Sequence, residues 1–279
     1  MISLPTGSPM GRGRTADIYA WQEGQIIKLF HAWFSQEAIQ SELQNSRVIS
    51  MLSLPTPKLL DMVETDGRVG LVFERVEGPS MLKQIMTHPW QLFSLARQFA
   101  ELHTRIHAQD GAGLPSIRPA LDKLVQQSAA YLDDTSGVVL ETLMNLPDGN
   151  ALCHFDFHPD QVMMTNQGPV ILDWMNACLG NPMADVARTD ILMTLGHVPY
   201  GGAMMRAFIN SWRDMFHKTY LSRYFSLHPG TGKKDLIPWL IPVAVDRLNE
   251  KIDGEKEALL GIIDKTARML EEQSPVGKV

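Results

Sequence analysis

Hydrophobic and polar positions trade periods along this chain. Near the start they alternate. "ADIYAW" and "QIIKLF" are short and β-rich, and "QEG" between them suits a tight turn. "KLLDMVETDGRVGLVFERVEG" repeats that pattern more clearly, a second hairpin with Asp66-Gly67 at its turn. Between the two hairpins the period lengthens. "FSQEAIQSELQNSRVISML" reads as a helix, with Ser35 as N-cap, Glu37 in the first turn, and an imperfect apolar stripe of Ile39, Leu43 and Ile49. "LPTPKLL" ends it. Beyond Gly78-Pro79 the helical period dominates. "WQLFSLARQFAELHTRIHA" places Leu92, Leu95, Phe99, Leu102 and Ile106 at steps of three and four. Further helices are predicted at about 116–132 and 137–146. "NQGPVILDW" returns as a hairpin, and the last third is helical, with Pro238 and Pro242 kinking or splitting one helix.

The expected fold class is therefore α+β: a small antiparallel β-sheet lobe with one helix over residues 1–77, and a larger, mainly helical lobe over 78–279. A cleft between two such lobes is a common place for a ligand. With 44% hydrophobic and 20% charged residues, the 279-residue chain has enough apolar material for a packed core. A net charge of −6 argues against a nucleic-acid partner and leaves room for a cationic substrate. Two cysteines, Cys153 and Cys178, without a CxxC, argue against a disulfide scaffold or structural zinc. "MISLPTGSPM" lacks the features of a signal peptide, and no window approaches the roughly 18 apolar residues of a membrane span. The expected setting is the cytoplasm, with no membrane partner.

"LCHFDFHPDQVMM", Leu152 to Met164, concentrates the candidate chemistry. One reading is a metal clamp: on a strand, His154, Asp156 and His158 would share one face, and two imidazoles with a carboxylate suit zinc or iron. Pro159 opposes it by biasing His158 towards a turn. The other reading is a catalytic loop. His-x-Asp, then an amide residue, then an apolar strand resembles the kinase pattern H-R-D-x-x-x-x-N, in which the Asp orients the attacking hydroxyl and the Asn binds magnesium. "PVILDW" then supplies Asp173 at the end of the next strand, seventeen residues after Asp156.

That second reading demands partners upstream, and candidates exist. "GRGRTADIYAW" offers Gly11 and Gly13 ahead of a strand, where backbone N–H groups approach phosphate oxygens closely, although Ala16 stands at the third glycine position. "IIKLF" sets Lys28 between apolar neighbours. Glu42 on the following helix is the acid chosen to hold it, ahead of Glu37.

From about Gly11 to Leu195 the chain resembles the aminoglycoside phosphotransferase and choline kinase family, which has a protein-kinase-like fold. The motifs that carry the resemblance are "HFDFHPDQVMM", "VILDWMNACLGNPMADVAR" and "LPTPKLLDMVETDGRVGLVFERVEGPSML". The resemblance implies an ATP-dependent phosphotransferase that moves the γ-phosphate to a small-molecule hydroxyl. It implies Asp156 as the catalytic residue and Gln161 with Asp173 as ligands of Mg2+. Lys28, braced by Glu42, would grip the phosphates. Phe73 to Val76 would be the hinge, with the Glu74 carbonyl and Val76 N–H meeting the adenine edge and Ile18 and Ile26 covering its faces. Asp185 would brace the catalytic loop through backbone contacts, and His154 would be structural. Asp190, Asp246, Glu250 and Asp253 are candidates for receiving a cationic substrate.

The match departs at one position that matters. The family's metal-binding Asn is Gln161 here, with the same amide oxygen one methylene further out. Magnesium demands near-octahedral geometry with oxygens at about 2.0–2.1 Å, so the extra reach is not trivial. Full activity, a tolerance for Mn2+, and a weakly active or nucleotide-binding pseudokinase all stay open. The Gly that often follows the family's His is Phe155 here.

Overall fold

The computed structural model describes residues 7–65, 67–128, 136–195 and 203–273. By contact it forms two compact units, Met1–Thr87 with Pro159–Asn176, and His88–His158 with Ala177–Val279. Residues 159–176 thus group with the first 87, whereas the sequence reading divides the chain at 77.

The first unit is built on an antiparallel sheet of five strands: β1 (Gly11–Arg12), β2 (Ala16–Ala20), β3 (Gln25–Phe30), β4 (Leu59–Thr65) and β5 (Arg68–Glu74), in spatial order β1-β2-β3-β5-β4. The β2–β3 and β4–β5 hairpins are those the alternation predicts; Asp66, at the second turn, lies outside the described residues. Period two splits β3 between faces. Ile27 and Leu29 pack with Val63 and Val72 on one side, while Phe30 packs with Ile39 and Leu43 on the other. Ile26 and Lys28 share the Phe30 face, and Lys28 stands opposite Ile18 of β2 in register.

Ile39 and Leu43 come from helix α1 (Gln36–Ser50). Ser35 caps it, its Oγ accepting from the Ala38 N–H at 3.4 Å. The buried positions of α1 are Ile39, Glu42, Leu43, Asn45, Ser46, Val48 and Ile49, a helical stripe with polar members set into it. Beyond β5, Gly78 adopts φ 151°, and a Cβ there would lie 2.2 Å from the Met164 carbonyl oxygen, so only glycine fits. The Met164 N–H donates to the Pro79 carbonyl at 2.8 Å. These contacts seat the hairpin of β7 (Val162–Thr165) and β8 (Gly168–Ile171), together with α2 (Met81–Thr87), in the first unit.

The second unit is mainly helical. Helix α3 (Leu92–His107) carries the predicted apolar stripe, burying Leu92, Leu95, Phe99, Leu102 and Ile106, and packs on α7 (Ala203–Leu227). The helix expected over 116–132 is α4 (Ile117–Ser128); residues 129–132 lie outside the described residues. The next, α5, spans Ser136–Asn145. Strand β6 (Ala151–Cys153) pairs with β9 (Cys178–Gly180), and α6 (Pro182–Leu195) follows, its Asn181 Oδ1 accepting from the Met183 N–H at 2.9 Å. Pro238 sits in a 3-10 turn over Ile237–Trp239 that separates α8 (Lys233–Leu236) from α9 (Leu240–Asn249), as the two prolines predict. Pro242 falls in the first turn of α9, where a missing N–H costs nothing. Helix α10 (Lys256–Gln273) packs on α9. Among the described residues no helix is long and apolar enough to cross a membrane.

Candidate active site

Lys28 points from β3 towards α1 and the end of β8. Its Nζ donates to Glu42 Oε1 at 2.6 Å and to Asp173 Oδ1 at 3.0 Å. Glu42 rather than Glu37 is the partner; Glu37 remains exposed in the first turn of α1. Burial alone would lower the Lys28 pKa, but the Asp173 and Glu42 carboxylates outweigh it and hold the ammonium above its usual range. For Glu42, burial is the largest effect and pushes its carboxyl up against the pull of Lys28. The cluster has two carboxylates for one ammonium. Glu42 is almost wholly buried, while the Asp173 side chain is 37% exposed.

These three residues line a cavity of about 410 Å3. Ile18, Ile26, Ile49 and Phe73 give it apolar walls, and Glu74, the last residue of β5, lines it together with Arg75 and Val76. Gly11 and Gln161 line it as well. Gly13 is not a lining residue; it turns the β1–β2 hairpin, its N–H donating to the Ala16 carbonyl at 2.9 Å. The Asp173 carboxylate beside the Lys28 ammonium, in a cavity that Gln161 also lines, supplies residue types that fit magnesium and phosphate, since hard oxygen ligands suit the ion and the cation suits the phosphate. The apolar walls fit a flat heterocycle.

The loop after β6 belongs to the second unit. Asp185, fully buried on α6, accepts from the His154 N–H at 2.6 Å and the Phe155 N–H at 2.9 Å. His107 Nε2 lies 3.2 Å from the same carboxylate, and His103 Nε2 at 3.1 Å in an off-line contact rather than a directed hydrogen bond. The other ring nitrogens meet Tyr220 Oη at 2.8 Å and Tyr224 Oη at 2.7 Å. Burial raises both phenols, so the hydroxyls stay protonated. Burial also opposes ionisation of Asp185, but His103 and His107 overcome it and hold the carboxyl well below the usual carboxylate range. Burial and His107 push His103 down to about 4 against the pull of Asp185.

This network fixes the loop. Phe155 takes φ 60°, a strained value for a bulky side chain and one that glycine adopts freely. Its N–H bond to Asp185 and the Arg188 guanidinium, 5.7 Å from its ring, hold it there. Phe157 stacks on Phe99 at 4.2 Å, and its carbonyl accepts from Thr189 Oγ1 at 2.9 Å. The loop therefore presents Asp156, with His158 Nε2 at 3.9 Å from its carboxylate.

The metal-clamp reading of His154, Asp156 and His158 is not met. The buried His154 ring spends Nδ1 on the Asp156 N–H at 3.3 Å. Among the described residues, ligand-type atoms gather within 4.8 Å at His103, His107 and Asp185 instead. The carboxylates nominated for a cationic substrate are engaged within the protein: Asp190 with His217 at 2.8 Å, Asp246 with Arg188 at 3.3 Å, and Glu250 with Arg188 and with Arg247. Asp253 is exposed. Trp174 and Trp239 are buried. His103, His107, Tyr220, Tyr224, Thr56 and Asn45 escaped the sequence reading. For the two histidines a signal existed: they lie four residues apart beside the apolar stripe of α3, where solvated polar residues do not belong.

The profile of a family described as "Phosphotransferase enzyme family" matches residues 6–225. The chain belongs to that family, and the reading of it as a phosphotransferase with an alcohol group as acceptor stands with that membership. No curated protein sequence matches it significantly. Among solved structures it is similar to the streptomycin–ATP–APH(2'')-IIa ternary complex (TM-score 0.56, 14% identity, 94% of this chain and 90% of that one). It is also similar to a choline/ethanolamine kinase family protein from Mesorhizobium loti (TM-score 0.56, 12% identity, 97% and 90%). A choline kinase from Cryptosporidium parvum Iowa II is a third relative (TM-score 0.56, 13% identity, 95% and 90%). At such identities the likeness carries the fold, which is α+β and kinase-like.

Proposed function

We propose that this phosphotransferase moves the γ-phosphate of ATP to a hydroxyl of a small molecule. The observation that carries the reading is the Lys28 ammonium held at once by Glu42 and Asp173 on the wall of an apolar-sided cavity. Solved relatives are described as complexes with ATP or ADP and with streptomycin or gentamicin, or as choline kinases, which supports the nucleotide and a small acceptor.

In this reading the adenine lies between Ile18 and Ile26, with its edge at Glu74 and Val76. Lys28 meets the α/β-phosphates, and Glu42 keeps the ammonium in place. Magnesium, when bound by Asp173 and Gln161, supplies charge neutralisation across the phosphates. Asp156 accepts a hydrogen bond from the acceptor hydroxyl and aligns it for in-line attack; as the new O–P bond forms, the γ-phosphorus bond to the β,γ-bridging oxygen breaks, ADP leaves with that electron pair, and the hydroxyl proton passes to the Asp156 carboxylate. Catalysis is positioning and electrostatics, with no covalent enzyme intermediate.

A coupled ADP-release assay over a panel of hydroxyl-bearing metabolites and antibiotics, with magnesium and with manganese, tests this. Acceptor-dependent release that Asp156→Asn lowers by about 100-fold or more, while nucleotide binding persists, is the expected result. Gln161 motivates a second reading, a nucleotide-binding pseudokinase or weakly active kinase. Nucleotide binding without release for any acceptor would favour it, and a strong rise in ATP consumption in Gln161→Asn would place the native chain in the impaired class.

A further inference from the structure

Asp173 adopts φ 57°, a left-handed conformation uncommon for residues other than glycine and held only when neighbours determine it. Four contacts surround it in the chain. The Ile171 N–H donates to the Pro55 carbonyl at 2.7 Å, and the Leu172 N–H donates to the Gln161 carbonyl at 2.8 Å. The Trp174 indole N–H donates to Thr56 Oγ1 at 2.9 Å, with the Ile171 carbonyl a longer acceptor at 3.3 Å. Asn45 Nδ2 donates to the Met175 carbonyl at 3.1 Å. Asn45 is buried on α1, three residues beyond Glu42 and on the same face. That face thus acts on the segment twice, at Asp173 through Lys28 and at Met175 directly. Thr56, in the connection that follows α1, grips the residue between them. Thr56 and Trp174 both line the cavity that Asp173 lines.

We propose that Thr56, Asn45 and Trp174 are positioning residues: they fix the Asp173 carboxylate and so set the magnesium affinity of a nucleotide site whose other candidate ligand is Gln161. The inference rests on the phosphotransferase reading above. Magnesium tolerates little departure from octahedral geometry, so a carboxylate released to wander loses affinity for it. None of the three side chains needs to touch the ion.

The test is calorimetric titration of the full chain with ADP, once with magnesium and once with a chelator. Because Thr56 lines the cavity, the readout is the ratio of the Kd for ADP with chelator to the Kd with magnesium. A neutral hydrogen bond is worth about 1 kcal/mol, so Thr56→Val lowers that ratio about fivefold, and Thr56→Ser, which keeps the hydroxyl, restores it. Asn45→Ala gives the same pattern from the other side of Asp173 and serves if Thr56→Val does not fold. Native magnesium dependence in both Thr56→Val and Asn45→Ala overturns the proposal, as does an equal loss with and without magnesium, which marks a merely structural role. Failure of the native chain to bind ADP at all is a separate outcome; it removes the nucleotide reading and this inference with it.

Discussion

The Asp173 and Asp185 clusters are each organised by a carboxylate, and they are built to opposite ends. In the first unit Asp173 faces a cavity, over a third exposed, in a group with one more carboxylate than cation. In the second unit Asp185 is fully buried, and both its oxygens accept: two backbone N–H groups and one imidazole in hydrogen bonds, with a second imidazole in contact. The first cluster opens on a cavity. The second is closed off from solvent, and its product is the shape of the loop that presents Asp156. An ion pair in a cavity and an ion cage in a core look alike as lists of residues; exposure and saturation tell them apart.

The same substitution separates them most sharply. Asp185→Asn turns an amide N–H towards backbone N–H donors and strips the cage of its charge, so denaturant unfolding should show a loss of roughly 3–5 kcal/mol. Acid acts on the cage next. His103 titrates at about 4 in the folded chain and at about 6.5 unfolded. Between those values the unfolded chain binds the proton and the folded chain does not, so stability falls as pH drops from 6.5 to 4, by roughly 3 kcal/mol when complete. The depressed Asp185 carboxyl adds its loss only below its ordinary value near 3.8. Unfolding midpoints at pH 7, 5.5 and 4.5 read the His103 part, and a flat profile would contradict it. Tyr224→Phe removes one partner of His107 and should cost about 1 kcal/mol in the same assay. Smallest is Asp173→Asn, where the half-open site and the surviving Lys28–Glu42 pair keep the change in stability under about 1 kcal/mol.

Much of this could be read from the sequence, and the reason is locality. The β2–β3 hairpin, the β4–β5 hairpin, the stripe of α3 and the Ser35 cap each rest on contacts within one or two turns or strands. Lys28, Glu42 and Asp173 were legible because each stands out chemically from its surroundings: a lysine inside an apolar strand, an acid on a buried helix face, an aspartate at a strand end. What the sequence hides is saturation. Whether a carboxylate is bare or spent depends on partners far along the chain, as with Asp246 and Arg188, 58 residues apart, or His107 and Tyr224, 117 apart. Periodicity carries no information at that range, so Asp246 and Glu250 read as open to a cation when Arg188 already holds them. Trp174 is buried, and its indole bond to Thr56 shows only in three dimensions.

Titration of the native chain and of Asp173→Asn with ATP, with and without magnesium, bears most directly on the proposal that Lys28, Glu42 and Asp173 converge on one nucleotide. The account predicts that magnesium tightens native binding about tenfold or more and that Asp173→Asn abolishes this gain without unfolding. Native affinity indifferent to magnesium, or a variant that keeps the full gain, would contradict it.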